Sequence, residues 1–300
     1  MLVAWEDTFK TWSQGPATTE QTKCENTEKV IRDALNNDSK LGDMDTRVFI
    51  QGSYRARTNI RQNSDVDICV LLRNQVFADY GHDITQKTAG LVDSDFTFSQ
   101  FKDLVGHALI NRFGEASVVR GGKAFDVHEN SYRVDADVVP AFEHRRYFKN
   151  ASGQISYSEG IAFKTDSGII IKNWPEHTYD NGVAKNDQTS RRYKRVIRIL
   201  KRLRDHMQGN KVSAATNVAS FLIESLVWNA PNGAFSSDYY TDNVRAVLVH
   251  TFNHTMTQEK CNEWGEVNEL KYLFRDDTQP WTRQGAHNFL SAAWDFVGYK

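Results

Sequence analysis

Cysteine is scarce in this chain, with three among 300 residues: Cys24, Cys69 and Cys261. Odd in number, far apart and without partners at metal-ligand spacing, they give no disulfide framework and no thiolate zinc site, and they favour a reducing compartment. Long apolar runs are missing too. No stretch reaches the length of a membrane span, and "MLVAWEDTFK" carries acidic residues where a secretion signal starts basic, so a cytoplasmic protein with no membrane partner is expected. Nor is there an excess of positive charge. The 37 Lys and Arg against 38 Asp and Glu leave a formal net charge of −1, which argues against chain-wide affinity for nucleic acid. None of the nine histidines stands in an HExxH-type pair, so none is read as a metal ligand. What remains is ordinary globular composition, 40% hydrophobic and 25% charged, in a chain long enough for one large domain or two modest ones.

Periodicity divides that chain in two. Residues 1–174 read as mixed α/β. "TEQTKCENTEKVIRDALNN" is a predicted helix because Cys24, Thr27, Ile31, Ala34 and Leu35 recur at three- and four-residue spacing. "FTFSQFKDLVGHALINRFG" is a second helix, with Phe98, Phe101, Val105, Ala108 and Leu109 on one face and a glycine stop. Strands are predicted at "RVFI" and "VLL", then at "ASVVRGG", "KAFDVHE", "YRVDADVVPAF" and "SGIIIKNW". Pro175 and "DNG" read as a break. Residues 175–300 are mostly helical, in "SRRYKRVIRILKRLRDHM", "NVASFLIESLVW", "DNVRAVLVHTF" and "RQGAHNFLSAAWDFV". The expected fold is α/β and bilobal: a mixed sheet with flanking helices, a helical carboxy-terminal lobe, and an amino-terminal helix bridging both.

Within the first part, "QGSYRARTNIRQNSDVDICVLL" places aspartates at positions 65 and 67, where a core strand should bury apolar side chains. Residues i and i+2 of a strand point the same way, so the two carboxylates project together and repel unless a cation lies between them. Hard oxygen ligands at that spacing suit Mg²⁺ and leave positions open for phosphates. By itself the pair is equally an ordinary solvated strand end. Two further features shift the balance. Gly52 and Ser53 follow the strand "RVFIQ" in a turn whose backbone and hydroxyl can approach a phosphate. Asp137 stands amid apolar residues in "YRVDADVVPAF", where an unpaired charge would be costly if buried. Three carboxylates from neighbouring strands are what phosphoryl transfer by two metal ions requires.

These motifs carry a resemblance. "GSYRARTNIRQNSDVDICVLL" resembles the nucleotidyltransferase pattern of glycine-serine, a spacer and aspartate-any-aspartate, and "DADVVPAF" resembles the strand with the third aspartate in the polymerase-β-like superfamily. "QGS", "VVPAF" and "SFLIESL" are similar to the branch of oligoadenylate synthase and cyclic GMP-AMP synthase, most closely its bacterial members, the CD-NTases of antiphage signalling. The resemblance covers scattered motifs from Val48 to Leu226 and implies a bilobal polymerase-β-like core with its active site in the cleft. The implied activity is template-independent synthesis of a cyclic di- or trinucleotide second messenger from ATP and other nucleoside triphosphates. Two Mg²⁺ ions, or Mn²⁺, are implied as cofactors, and a regulatory partner protein serves some bacterial relatives. By the same resemblance Asp65 and Asp67 bind both metals, and Asp137 completes the inner metal site and helps activate the attacking ribose hydroxyl. Gly52 and Ser53 hold the donor triphosphate, with Gln51 beside it. Two other readings stand beside this one: a linear oligoadenylate-type or RNA- or protein-modifying transferase, and a catalytically silent nucleotide sensor. The intact carboxylate set weighs against silence.

Asp135 shares a strand face with Asp137, but the ligand in the resembling pattern directly precedes "VVPA", which selects Asp137 and leaves Asp135 at the rim. A wheel at 100° per residue places Tyr193, Val196, Ile197, Leu200, Leu203 and Met207 on one side of "SRRYKRVIRILKRLRDHM", with Arg191, Arg195, Arg198 and Arg202 opposite. Lys201 falls at the edge between the faces, and the resemblance makes it a triphosphate contact. Arg204 turns toward the apolar side and is its rival. Ser220 in "SFLIESL" resembles a further phosphate contact, and reads equally as a serine at a helix start. The seven tryptophans are expected in packing.

Overall fold

A computed structural model of the chain describes residues 2–15, 18–60, 65–275 and 279–299. Positions 61–64 of the aspartate motif lie outside these. The described residues form two compact units, each assembled from separate pieces: Ala17–Arg55 with Ser64–Glu176, and Met1–Pro16 with Ala56–Asn63 and His177–Lys300. The chain changes unit near the expected boundary, between Glu176 and His177. The stretches 1–16 and 56–63 depart from the expectation by joining the helical unit.

The sheet unit contains α2 (Thr18–Asn36), then β1 (Thr46–Ile50), the short α3 (Gly52–Ala56, whose last residue falls in the helical unit), β2 (Val66–Tyr80) and α4 (Phe98–Phe113); α1 (Leu2–Trp12) belongs to the other unit. After α4 come β3 (Val118–Arg120), β4 (Phe125–Val127), β5 (Ala136–Lys149), β6 (Ile155–Lys164) and β7 (Ile170–Asn173). The strands make one sheet in the order β1-β2-β5-β4-β3, with β6 on the far half of β5 and β7 on β6. Only β2 and β5 run parallel; the other neighbours are antiparallel.

The alternation of strand side chains explains the two cores. Val66, Ile68, Val70 and Leu72 face a cluster with Ile31 and Leu35 of α2 and Phe101 and Leu109 of α4. Cys69 and Leu71 face the opposite way, onto Val139, Ala141, Ile161 and Phe163. Each such side chain buried in full contributes about 1.5–3 kcal/mol. The face of α2 predicted from spacing, Cys24 to Leu35, is buried in its entirety. α4 starts at a capping box between Thr97 and Gln100 and ends at Gly114, whose φ is 84°. β2 and β5 run further than their predicted strands, to Tyr80 and Lys149, because their polar distal halves continue the same parallel ladder past an irregularity between Leu72 and Val76.

The helical unit comprises α1, then α5 (Pro175–Gln188), α6 (Tyr193–Gly209), α7 (Ser220–Trp228), α8 (Tyr240–Thr255), α9 (Gln258–Cys261) and α10 (Arg283–Val297); the first two residues of α5 fall in the sheet unit. α5 occupies the predicted break. Pro175 is its first residue, where a missing N–H costs nothing, and Gly182 is tolerated inside at about 1 kcal/mol. The six apolar residues of the α6 wheel are all buried, in a core shared with Phe9 of α1, Val247 of α8 and Phe289 of α10. Phe9, fully enclosed there, is why α1 belongs to this unit.

Candidate active site

Parallel pairing of β2 with β5 sets Asp67 level with Asp137, and antiparallel pairing of β4 with β5 sets Asp126 level with Asp137 from the other side. Residues paired across a ladder point to one face, so three carboxylates stand in a row across three adjacent strands. Their face is that of Cys69 and Leu71, the one turned away from α2 and α4. Asp65 and Asp135 stand side by side just ahead of that row, joined by a 2.9 Å hydrogen bond from the Val66 amide to the Asp135 carbonyl. Each of the two expected ligands in or just ahead of β2 thus has its own neighbour: Asp135 beside Asp65, Asp137 beside Asp67.

Asp137 is not the buried charge that its apolar flanks suggested. Ala136 and Val138 are buried, whereas Asp137 is exposed on the open face. Desolvation by the surrounding protein still lifts its carboxyl above the ordinary value of 3.8, with Asp126 and Asp65 adding to the effect. Asp65 is raised for the same first reason, then by Asp135, Asp126 and Glu129. Each group therefore resists ionising, first because the surrounding protein strips it of water and then because its neighbours are acidic.

Gly52 closes the site from the β1 side. Its φ is 64°, and a Cβ on it would lie 2.0 Å from Asp67 Oδ2, so no other residue fits without displacing that carboxylate. A 2.8 Å bond from the Gln51 amide to the Asp67 carbonyl holds the turn in register, and Ser53 follows as the second residue of α3.

Sequence reasoning missed Asp126, His128 and Glu129. Ligand atoms of Asp126, His128 and Asp135 all lie within 4.8 Å of one another, and Asp135 Oδ1 accepts the Glu129 amide at 2.6 Å. The signal was present in "KAFDVHE", where Asp126 alternates with buried Phe125 and Val127. What the sequence does not reveal is which strand β4 joins. The donor set is hard carboxylate oxygen plus one imidazole, which fits a divalent cation.

The remaining expected contacts lie in the helical unit. Lys201 is not at an edge: it is 2% exposed, with Nζ 2.5 Å from Glu224 Oε1 and 3.1 Å from the Thr58 carbonyl. The Thr58 hydroxyl donates to the same Glu224 oxygen at 2.9 Å. The wheel failed here because the 58–60 segment, remote in sequence, covers that side of α6. Ser220 begins α7, and its hydroxyl accepts a 3.0 Å hydrogen bond from Arg204 Nη1, which also donates to the Val218 carbonyl. The structure thus brings Arg204 and Ser220 together and gives Lys201 a neutralising partner.

Carboxylates levelled across a parallel strand pair, with an obligatory glycine against one of them, are the arrangement of a nucleotidyltransferase of the polymerase-β-like kind. Comparison with known proteins narrows this. Residues 180–298 match the family description "cGAS/DncV-like nucleotidyltransferase C-terminal helical domain". The chain is 43% identical to the cyclic dipyrimidine nucleotide synthase CdnE of Legionella pneumophila, over 99% of both chains. It is 39% identical to the enzyme of the same description from Cecembia lonarensis, over 98% of both. A solved Rhodothermus marinus c-UMP-AMP synthase, with Apcpp and Upnpp, superposes with a TM-score of 0.84 at 30% identity, covering 98% of this chain and 97% of that one. The chain belongs to the cGAS/DncV-like nucleotidyltransferases, the CD-NTases, and is an enzyme that makes cyclic oligonucleotides. Nucleotidyltransferases of this family use divalent metals and nucleoside triphosphates.

Proposed function

We propose that the protein joins two nucleoside triphosphates, at least one of them a pyrimidine nucleotide, into a cyclic dinucleotide second messenger of antiphage signalling, with two Mg²⁺ ions. The observation that carries the reading is the register of Asp67 with Asp137 on parallel strands, with Gly52 packed against Asp67. Two divalent ions, when bound, stabilise charge on the attacking and leaving oxygens. Asp65, Asp67 and Asp137 would hold them, Mn²⁺ serving as a substitute. Asp137 also accepts the proton of the attacking ribose hydroxyl. Gly52, Ser53 and Gln51 hold the donor phosphates through backbone N–H groups and the Ser53 hydroxyl. Among the further contacts, Ser220 keeps its expected role, paired with Arg204. Arg204, which reaches Ser220 and pairs with Asp205 at the surface, replaces Lys201, which is enclosed with Glu224.

The pyrimidine preference comes from the relatives: the Legionella and Cecembia enzymes are dipyrimidine synthases and the Rhodothermus enzyme makes c-UMP-AMP. ATP remains a substrate of the proposal as the second nucleotide. The purified chain, incubated with all four nucleoside triphosphates and Mg²⁺ and then treated with phosphatase, should yield a phosphatase-resistant cyclic dinucleotide by mass spectrometry. A product that retains a removable terminal phosphate would mean a linear transferase. Turnover by the chain alone would show that no regulatory protein is required.

A further inference from the structure

The helical unit holds a second concentration of charge, of the opposite sign. Lys194, Arg198 and Lys201 stand at i, i+4 and i+7 along α6 and share one face. Arg57, in left-handed backbone with φ of 55°, is tied to that face by a 2.7 Å hydrogen bond from Arg198 Nη1 to its carbonyl. Arg198 gives Nε to the Ser13 carbonyl at 2.7 Å. Those bonds position the guanidinium without neutralising it. Among the described residues, only Lys201 of the four cations is ion-paired with a carboxylate, Glu224.

Lys194 is the anomaly. It is only 7% exposed, yet among the described residues its ammonium makes no ion pair and no hydrogen bond, and it lies 5.7 Å from the centroid of the Tyr179 ring. Asp187 and Glu224 are near enough to favour its charge, but Glu224 is committed to Lys201 and Thr58, and neither carboxylate reaches Lys194. Burial first, then Arg57, depress the Lys194 ammonium to about 8, so it remains largely protonated at neutral pH. The Arg57 guanidinium likewise has no carboxylate or hydrogen-bond partner among the described residues, although its side chain is exposed. A solvated basic face explains Arg195, which is exposed. It does not explain a lysine that is enclosed without a counter-ion, because buried charges are ordinarily paired. Nor is the ammonium sealed: the enclosed, unpartnered side-chain atoms of the described residues include Asn59 Nδ2 in the adjoining segment, but not Lys194 Nζ.

We infer that Arg57, Lys194 and Arg198 form a binding site for a phosphate-bearing anion, built from residues other than those of the aspartate cluster. The Arg57 fork, the Arg198 Nη2 that the Ser13 and Arg57 carbonyls leave over and a point-charge ammonium suit phosphate oxygens, and an anion of two or more charges balances a surplus that a single carboxylate would not. That phosphate could come from the tail of a nucleotide, from the pyrophosphate released on turnover, or from another phosphorylated metabolite.

The test measures thermal unfolding of the full chain in EDTA, at constant ionic strength, with pyrophosphate, inorganic phosphate, ATP or UTP. Pyrophosphate or a nucleotide should raise the wild-type melting temperature by several degrees. Lys194→Met should melt at or above wild type without ligand and bind the anion at least tenfold more weakly; Arg57→Gln should weaken it in the same direction. The Asp65→Asn/Asp67→Asn double variant should keep the full rise, which separates this site from the metal cluster. A response to nucleotides but not to pyrophosphate would identify the tail of a bound nucleotide as the source. The inference is overturned by a wild-type protein that responds to none of the four anions, or by an undiminished rise in Lys194→Met. It is also overturned by a destabilised Lys194→Met accompanied by full binding in Arg57→Gln.

Discussion

Gly52 shows how one missing side chain can set a site. In Gly52→Ala the new Cβ would fall 2.0 Å from Asp67 Oδ2, and left-handed backbone there adds about 1–2 kcal/mol of strain. We expect at least a hundredfold loss of turnover with a modest fall in melting temperature, measured side by side; near-normal turnover would show that Asp67 can move without consequence. The carboxylates should differ in rank. Asp137→Asn should abolish turnover, as loss of a metal ligand does, whereas Asp135→Asn and Asp126→Asn should retain activity reduced about 10–100-fold, the usual effect of disturbing groups that surround ligands. Steady-state assays on the three variants decide it, and a dead Asp135→Asn beside an active Asp137→Asn would transfer the ligand role by two residues.

At the scale of elements, α6 carries a buried pair whose rupture should be severe. Lys201→Met leaves the Glu224 carboxylate enclosed and unpaired, at a cost of about 3–5 kcal/mol, and Glu224→Leu added to it should restore most of the loss. Arg195→Ala, which removes only an exposed contact with the Tyr240 hydroxyl, should be neutral. Denaturant unfolding of the set checks both, and a stable Lys201→Met would reinstate Lys201 as a free phosphate contact. The same helix marks what the sequence could reveal. Its apolar face followed from spacing alone, as did that of α2, because burial on a helix is periodic. The burial of Lys201 did not, since its cover is the Thr58 segment, 143 residues away. Gly52, Asp65 and Asp67 could be singled out as candidates because they stand within one short motif, and Asp137 because it directly precedes "VVPA". Asp126 was not, because its place beside Asp137 depends on an antiparallel strand pairing that local pattern does not encode. α5 was missed because Pro175 and the "DNG" triplet read as punctuation, although a proline opens a helix without loss.

For the molecule as a whole, a formal charge of −1 conceals an acidic cluster in one unit and unbalanced cations in the other. The acidic cluster fixes the sign of a pH dependence. Carboxyls raised above 3.8 in the fold favour the folded state fully below that value and lose this contribution as pH rises through their raised folded values. Metal-free protein should therefore gain stability when Asp65 or Asp137 becomes Asn at pH 7, and metal affinity should weaken as pH falls through the same range; calorimetry in EDTA and metal titration measure the two. The division of the chain into interleaved pieces has a consequence for its birth on the ribosome. The sheet unit is complete once Glu176 has been made, whereas Phe9 must wait for α8 and α10, a delay on the order of ten seconds to a minute at ordinary elongation rates. Trp5, Phe9 and Trp12 all pack in or against the core of the helical unit, so until it is made their apolar surface has no completed core to enter. Trp5 and Phe296 end with ring centroids 6.1 Å apart, so a circular permutant that joins the two ends and opens after Gly15 would deliver α1 together with its partners. Such a permutant should show the same turnover as the native order, with less dependence on chaperones for soluble yield.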